Sequence, residues 1–168
     1  QDKTYFIMIF GKIFGKNKIV FEVDGKPPQK SQWSGIDAPL VIKLRKAALE
    51  SRTKRGIGKC ITTPVILKLT VYAPNIDDRD YRQIGDNDEK RYIGDLDSLV
   101  AGICDYLSRA PEEPGRNNFV PSPLFDSEPE IASTIPLIIN DDSQIKIIKA
   151  EKIISEKTHY IVEIESIS

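Results

Sequence analysis

The stretch GDLDSL, residues 94–99, sets Asp95 and Asp97 one residue apart, and a second acidic pair, Asp141 and Asp142, follows the apolar run PLII. Three or four carboxylates brought together repel one another unless a divalent cation neutralises them. Hard oxygen donors select magnesium, or manganese, over zinc, and a cation so held activates water and polarises a phosphodiester. Taken singly, each acid also has a plain structural use. Asp95 or Asp97 can cap a helix N-terminus, and Asp141 and Asp142 can belong to a turn.

Other chemistries are poorly supplied. The chain has one histidine, His159 in the strand-like HYIVEIE, and two distant cysteines, Cys60 and Cys104. These cannot make a structural zinc site, and the cysteines read as reduced, buried thiols of a cytoplasmic protein. Any Ser/His/Asp or Cys/His mechanism would depend on that single histidine, which reads as a surface or edge residue. GKIFGKN, residues 11–17, is one residue short of a phosphate-binding loop and ends in Asn17 where Ser or Thr is required. DNDEKRYIGDLD, residues 86–97, puts Lys90 and Arg91 where a calcium loop needs an oxygen ligand and a glycine.

The elements that must position these acids follow from hydrophobic period. TYFIMIF and KIVFEV read as two strands, and GKPPQKSQWSG as a loop, since Pro27 and Pro28 remove donors and fix the backbone. From Ala38, Leu40, Val41, Leu44, Ala47 and Ala48 share one helical face, with Lys43, Arg45, Lys46 and Glu50 placed elsewhere. VILKLTVYA alternates as a strand. Leu96, Leu99, Val100, Ile103 and Leu107 make the stripe of a helix over about 96–107 that starts at the acidic pair. Residues 109–136 hold six prolines and read as a long surface insertion rather than a second domain. A pair of strands, IKIIKAEKII and HYIVEIES, closes the chain.

The order β-β-α-β-α-β-β predicts one α+β domain spanning 1–168, a mixed sheet with two main helices. At 168 residues, 40% hydrophobic and 29% charged, the composition suits such a domain. Apolar runs are too short to span a bilayer and no secretion signal is visible, so the expected location is cytoplasmic, away from membranes. Charge is unevenly spread. Residues 1–60 hold 13 Lys and Arg against 5 Asp and Glu, while residues 61–168 hold 11 against 20. Such asymmetry suits a basic face for a polyanion and an acidic pocket for a metal.

GDLDSLVAGICDYL, followed by INDDSQI, a Lys-rich strand and a last strand, resembles the RusA family of Holliday-junction resolvases. That family opens a helix with Asp-Leu-Asp-Asn-Leu and places an Asp-Asp pair before its penultimate strand; here these fall on Asp95, Leu96, Asp97, Ser98, Leu99 and on Asp141, Asp142. FEVDGKPPQK, the amphipathic helix and VILKLTVYAP follow the family's order as well. The resemblance implies a small homodimeric nuclease that uses magnesium to cut four-way DNA junctions in recombination and repair. Asp95, Asp97 and Asp142 would be its catalytic, metal-binding acids, with Asp141 in support. It departs from the family at Ala101, where a lysine often stands one turn after the second acid, and at Ser98, which replaces an asparagine.

Lys90, Arg91, Lys146 and Lys149 are the candidates to supply the missing positive charge. DNA phosphates would be met by Lys26 and Lys30 of the Pro-Pro loop, by Arg52, Lys54, Arg55 and Lys59, and by Lys90 and Arg91. Trp33 is expected to anchor its loop in the core or at the dimer interface, with stacking on an unpaired base as the alternative. Two other functions fit the same residues: a branched-DNA-binding protein of this fold that cuts weakly or not at all, suggested by Ala101, and a protein-interaction domain using the Pro-rich stretch.

Overall fold

Alternation of apolar and polar residues builds four strands, and the computed structural model describes them within residues 18–77, 92–110 and 120–167. The expected strand TYFIMIF, the basic pair Lys90 and Arg91, and residues 111–119 of the Pro-rich stretch lie outside the described residues. Strand β1 spans Lys18–Asp24, helix α1 Ala38–Lys54, strand β2 Val65–Ala73, helix α2 Leu96–Leu107, strand β3 Ile145–Ile154 and strand β4 His159–Ser166. The sheet order is β1-β4-β2-β3. β4 runs antiparallel to β1 and β2, and β3 runs parallel to β2, so the sheet is mixed.

The fold is therefore a single α+β domain with two helices, as expected. The two strands that close the chain, β3 and β4, do not pair with each other, because β2 lies between them. The connection crosses the end of β2, where the Ser155 amide donates to the Ala73 carbonyl at 3.0 Å.

Register explains why both helices share one side. Ile19, Ile164 and Leu67 form one row across the sheet, and Phe21, Val162 and Leu69 the next. All are buried, and α1 adds Val41, Leu44 and Ala48 while α2 adds Leu99, Ile103 and Tyr106 to the same core. The opposite face mixes polar and apolar side chains and is largely open among the described residues. Lys18 and Lys68 pair with Glu163 at 3.0 and 3.6 Å, and His159 stacks on Tyr72 with ring centroids 4.4 Å apart. His159 thus stands on an inner strand, β4, of that open face.

The strongest departure from the sequence expectation is Arg45. Placed by periodicity off the apolar face of α1, it is 0% exposed. Its guanidinium donates to five backbone carbonyls: Ile131, Tyr106, Ser108, Ala132 and Ile135. It also lies over the Trp33 ring, 4.9 Å from the centroid. Burial pulls its pKa down to about 9, which leaves it charged at neutral pH, and the carbonyl dipoles favour that charged form.

The carbonyls it gathers belong to the end of α2 and to the Pro-rich stretch. That stretch is consequently more than a surface excursion: its described part forms two short 3-10 turns, Pro123–Ser127 and Pro129–Ile131, and buries Phe125 and Ile131 in the core. Trp33 is a core anchor, packed edge-on against Tyr106 at 5.0 Å and tilted on Phe125 at 5.9 Å. Among the described residues no helix is long and apolar enough to cross a membrane.

Replacing Arg45 by methionine keeps the volume but strands five buried acceptors. The expected loss of unfolding free energy is about 3–5 kcal/mol, read from urea unfolding curves. A loss below about 1 kcal/mol would show that water or repacking satisfies those carbonyls without it.

Candidate functional site

The acidic pair begins at a turn that needs glycine. Gly94 has φ +112°, and a Cβ there would press on the Gln29 side chain at 3.0 Å. Asp95 follows with extended backbone and its carbonyl accepts from the Leu99 amide at 3.1 Å, which starts α2. Its side chain makes no cap hydrogen bond. Instead Oδ1 accepts from the Tyr92 hydroxyl at 2.7 Å. Asp97 lies in the first turn, and both acids are exposed at the positive end of the helix dipole.

A base stands beside them that sequence reasoning missed. Lys152 reaches from the helix-covered side of β3, where its neighbour on β2 is the buried Val71. Its Nζ donates to the Gly94 carbonyl at 3.1 Å and to the Tyr92 hydroxyl oxygen at 3.2 Å, and lies 4.8 Å from the Tyr92 ring centroid. Lys152, Tyr92 and Asp95 therefore form a hydrogen-bonded chain. In the sequence, Lys152 is one of three similar lysines on a strand, and only register says which one faces the acids.

Tyr92, Gly94 and Asp95 edge an open groove of about 1250 Å³ whose other wall is the Pro-Pro loop, with Lys26, Pro27 and Gln29 at its lip. Two features of α2 hold that loop in place. A Cβ at Gly102 would overlap the Pro28 carbonyl oxygen and lie 3.0 Å from the Gln29 carbonyl carbon, so only glycine lets the loop backbone touch the helix. One turn later, Tyr106 donates its hydroxyl proton to the Gln29 carbonyl and accepts from the Gln32 amide at 2.7 Å. Burial pushes the Tyr106 hydroxyl up to about 12, so it keeps that proton. A lone glycine inside an apolar helical run was the available signal for this contact.

The second acidic pair lies elsewhere along the helix. Asp142 acts electrostatically on Asp105 and Cys104, near the C-terminal end of α2. Burial is the main cause that raises the Asp105 pKa; Lys30 opposes it, Asp142 adds to it, and the Ser31 amide opposes it. The Cys104 thiol is pushed up to about 11 by burial first and then by Asp142 and Asp105. Asp97 and Asp105 are two turns apart on one helix face, about 12 Å along the axis.

Asp141 is engaged in the backbone. Its carboxylate accepts from the Ser143 amide at 2.8 Å; the Ser143 hydroxyl first, and that amide second, hold its pKa below the usual range, and Gln144 completes a capping box by accepting from the Asp141 amide at 3.0 Å. The turn expected for these acids is thus present. By type, the acids suit a hard divalent cation. By position, Asp95 and Asp97 stand at one end of α2 and Asp142 at the other, and among the described residues no group of three or more His, Cys, Asp or Glu could hold a metal ion.

The basic candidates are scattered. Lys26 lines the groove and Lys30 faces Asp105. Lys54 pairs with Glu50 at 2.8 Å, and Arg55 caps the end of α1. Lys146 donates to the Ser143 carbonyl at 2.8 Å. Lys149 neighbours Lys68 on the open face of the sheet, away from Asp95, because side chains alternate and Lys152 occupies the other face. Lys149 is therefore not positioned to replace the lysine absent at Ala101. Cys60 and Cys104 are free thiols. Compared with models of known protein families and with curated proteins, the chain matches none.

Two expectations follow. Gly102→Ala forces the Pro-Pro loop off α2, with a cost of about 1–3 kcal/mol in urea unfolding and shifted amide NMR signals at Gln29 and Gln32; an unperturbed loop would contradict the close contact. Asp142→Asn removes a like charge from Asp105, so the Asp105 titration midpoint, followed by carboxyl carbon NMR, falls part of the way towards its ordinary value. An acid whose folded pKa is raised opposes folding as pH climbs through that pKa. The variant should therefore be more stable than wild type above it and lose that advantage in acid.

Proposed function

We propose that this protein is a magnesium-dependent endonuclease of the RusA type, acting as a cytoplasmic homodimer on branched DNA and on four-way junctions above all. The observation that carries this reading is the acidic start of α2 at the rim of the groove, with Lys152 and Tyr92 beside Asp95 and Lys26 across from it. A phosphodiester backbone is a chain of anions, and its cleavage needs carboxylates for a metal together with cations for phosphate. That combination occurs here on two rigid elements and a pinned loop.

In this reading Asp95 and Asp97 would hold the magnesium, or manganese, at the N-terminus of α2, while Asp142, the third acid that the resemblance implies, stands towards the other end of the helix. When bound, the cation neutralises phosphate charge and lowers the barrier to attack by water. Tyr92 fixes the Asp95 carboxylate through its hydroxyl. Lys152 supplies the positive charge that Ala101 lacks, and Lys26 and Lys30 hold flanking phosphates.

A second reading is a branched-DNA-binding protein without cleavage. It is favoured by Ala101 and by the pairwise placement of the acids among the described residues. A synthetic four-way junction incubated with magnesium or manganese separates the two. Under the first reading wild type cuts, and Asp97→Asn lowers cutting by about 100-fold or more while junction binding in a gel-shift assay persists. Binding with no product under either metal selects the second reading. No binding to branched DNA at low salt overturns both.

A further inference from the structure

β3 is the outer strand of the sheet, and among the described residues nothing pairs with its free edge. Its sequence, IKIIKAEKII, carries isoleucines on both faces. Ile147, Ile148, Ile153 and Ile154 are 44, 51, 36 and 72% exposed. A long apolar edge strand is a template for another strand.

We propose that two copies of this chain associate through β3, antiparallel, with the two-fold axis at Ala150. The register is written in the charges. With Ala150 opposite Ala150 of the second copy, Lys149 meets Glu151 and Glu151 meets Lys149, while Ile147 meets Ile153 on the same face at both ends. Moving the axis by one residue either way sets Lys149 against Lys149 or Glu151 against Glu151, and opposed like charges destabilise a strand pair. Among the described residues neither Lys149 nor Glu151 has an ion-pair partner within its own chain, and the neighbour of Lys149 on β2 is another lysine. The second copy supplies the missing counter-charges.

Directly opposed residues of an antiparallel pair project to the same face. The two-fold axis is therefore perpendicular to the joined sheet, and both copies of α2 stand on the same side of it. Both groove rims then belong to one surface of the dimer. This inference deepens the dimer named in the preceding reading and stands without any nuclease activity.

Sedimentation of the full chain tests it. Wild type should sediment as a dimer at micromolar concentration. Glu151→Lys puts a second lysine opposite Lys149 in each of the two symmetric pairs and should raise the dissociation constant about tenfold or more, with the circular dichroism spectrum unchanged. The reciprocal double variant, Lys149→Glu with Glu151→Lys, restores opposite charges and should restore the dimer. Ala150→Cys should yield a disulfide-linked dimer on oxidation, because Cα atoms on the axis lie about 4.5–5.5 Å apart in such a pair. A monomeric wild type, a dimer indifferent to Glu151→Lys, or a double variant no tighter than the single would each overturn the proposal, and none of them depends on whether DNA is cut.

Discussion

One buried cation organises this fold. Arg45 cannot leave water without losing several kcal/mol of solvation, and five carbonyls together with the Trp33 ring replace what it loses. Those carbonyls come from two segments with little regular structure of their own: the exit of α2 and the Pro-rich stretch that follows. Short 3-10 turns leave acceptors unpaired, and a planar guanidinium with its fork of donors can collect them where a lysine cannot. The Pro-rich stretch is thereby part of the core, and the C-terminal end of α2 is held in position. Trp33 carries the constraint onward, since it packs under Arg45 and beside Tyr106, the residue that ties down the Pro-Pro loop.

Helix α2 transmits that order to the groove. Along its length it presents the acids at the first turn, glycine at Gly102 where the loop backbone must touch, Tyr106 to hold the same loop, and Asp105 at the far end. The loop is consequently fixed to the element that carries Asp95 and Asp97, and the groove between them has rigid walls. The far end has a different electrostatic character. Asp105, Asp142 and Lys30 interact around a half-buried carboxyl, and the like-charge repulsion there works against stability. Such opposition between charge placement and folding is common where groups are positioned for binding.

Much of this was legible as pattern. The period of Leu96 to Leu107 defined α2 to the residue, the alternation of VILKLTVYA defined β2, and the succession of elements implied an α+β domain. The capping turn at Asp141 followed from residue type. The strand order was not legible, because a short link between β3 and β4 does not show that β2 pairs with both of them and lies between. Arg45 was misplaced for a related reason: a charged residue is assigned to solvent by default, and the acceptors that reverse this lie more than sixty positions away in the chain.

The sequence by itself determined the inventory: two acidic pairs, the absence of a soft-metal ligand set, a helix opening on Asp95 and Asp97, and a strand with opposite charges, Lys149 and Glu151, on either side of Ala150. Tertiary structure decided which of these groups meet. It turned Lys152 rather than Lys149 towards the acids, since residues along a strand alternate between faces and the register with β2 selects the face. It sent the Asp95 carboxylate to Tyr92 instead of the helix amides, and set Asp142 near Asp105 at the other end of α2. Local periodicity records what each residue is and which face it occupies; the partner across the fold is set by packing, and packing sums over contacts remote in sequence.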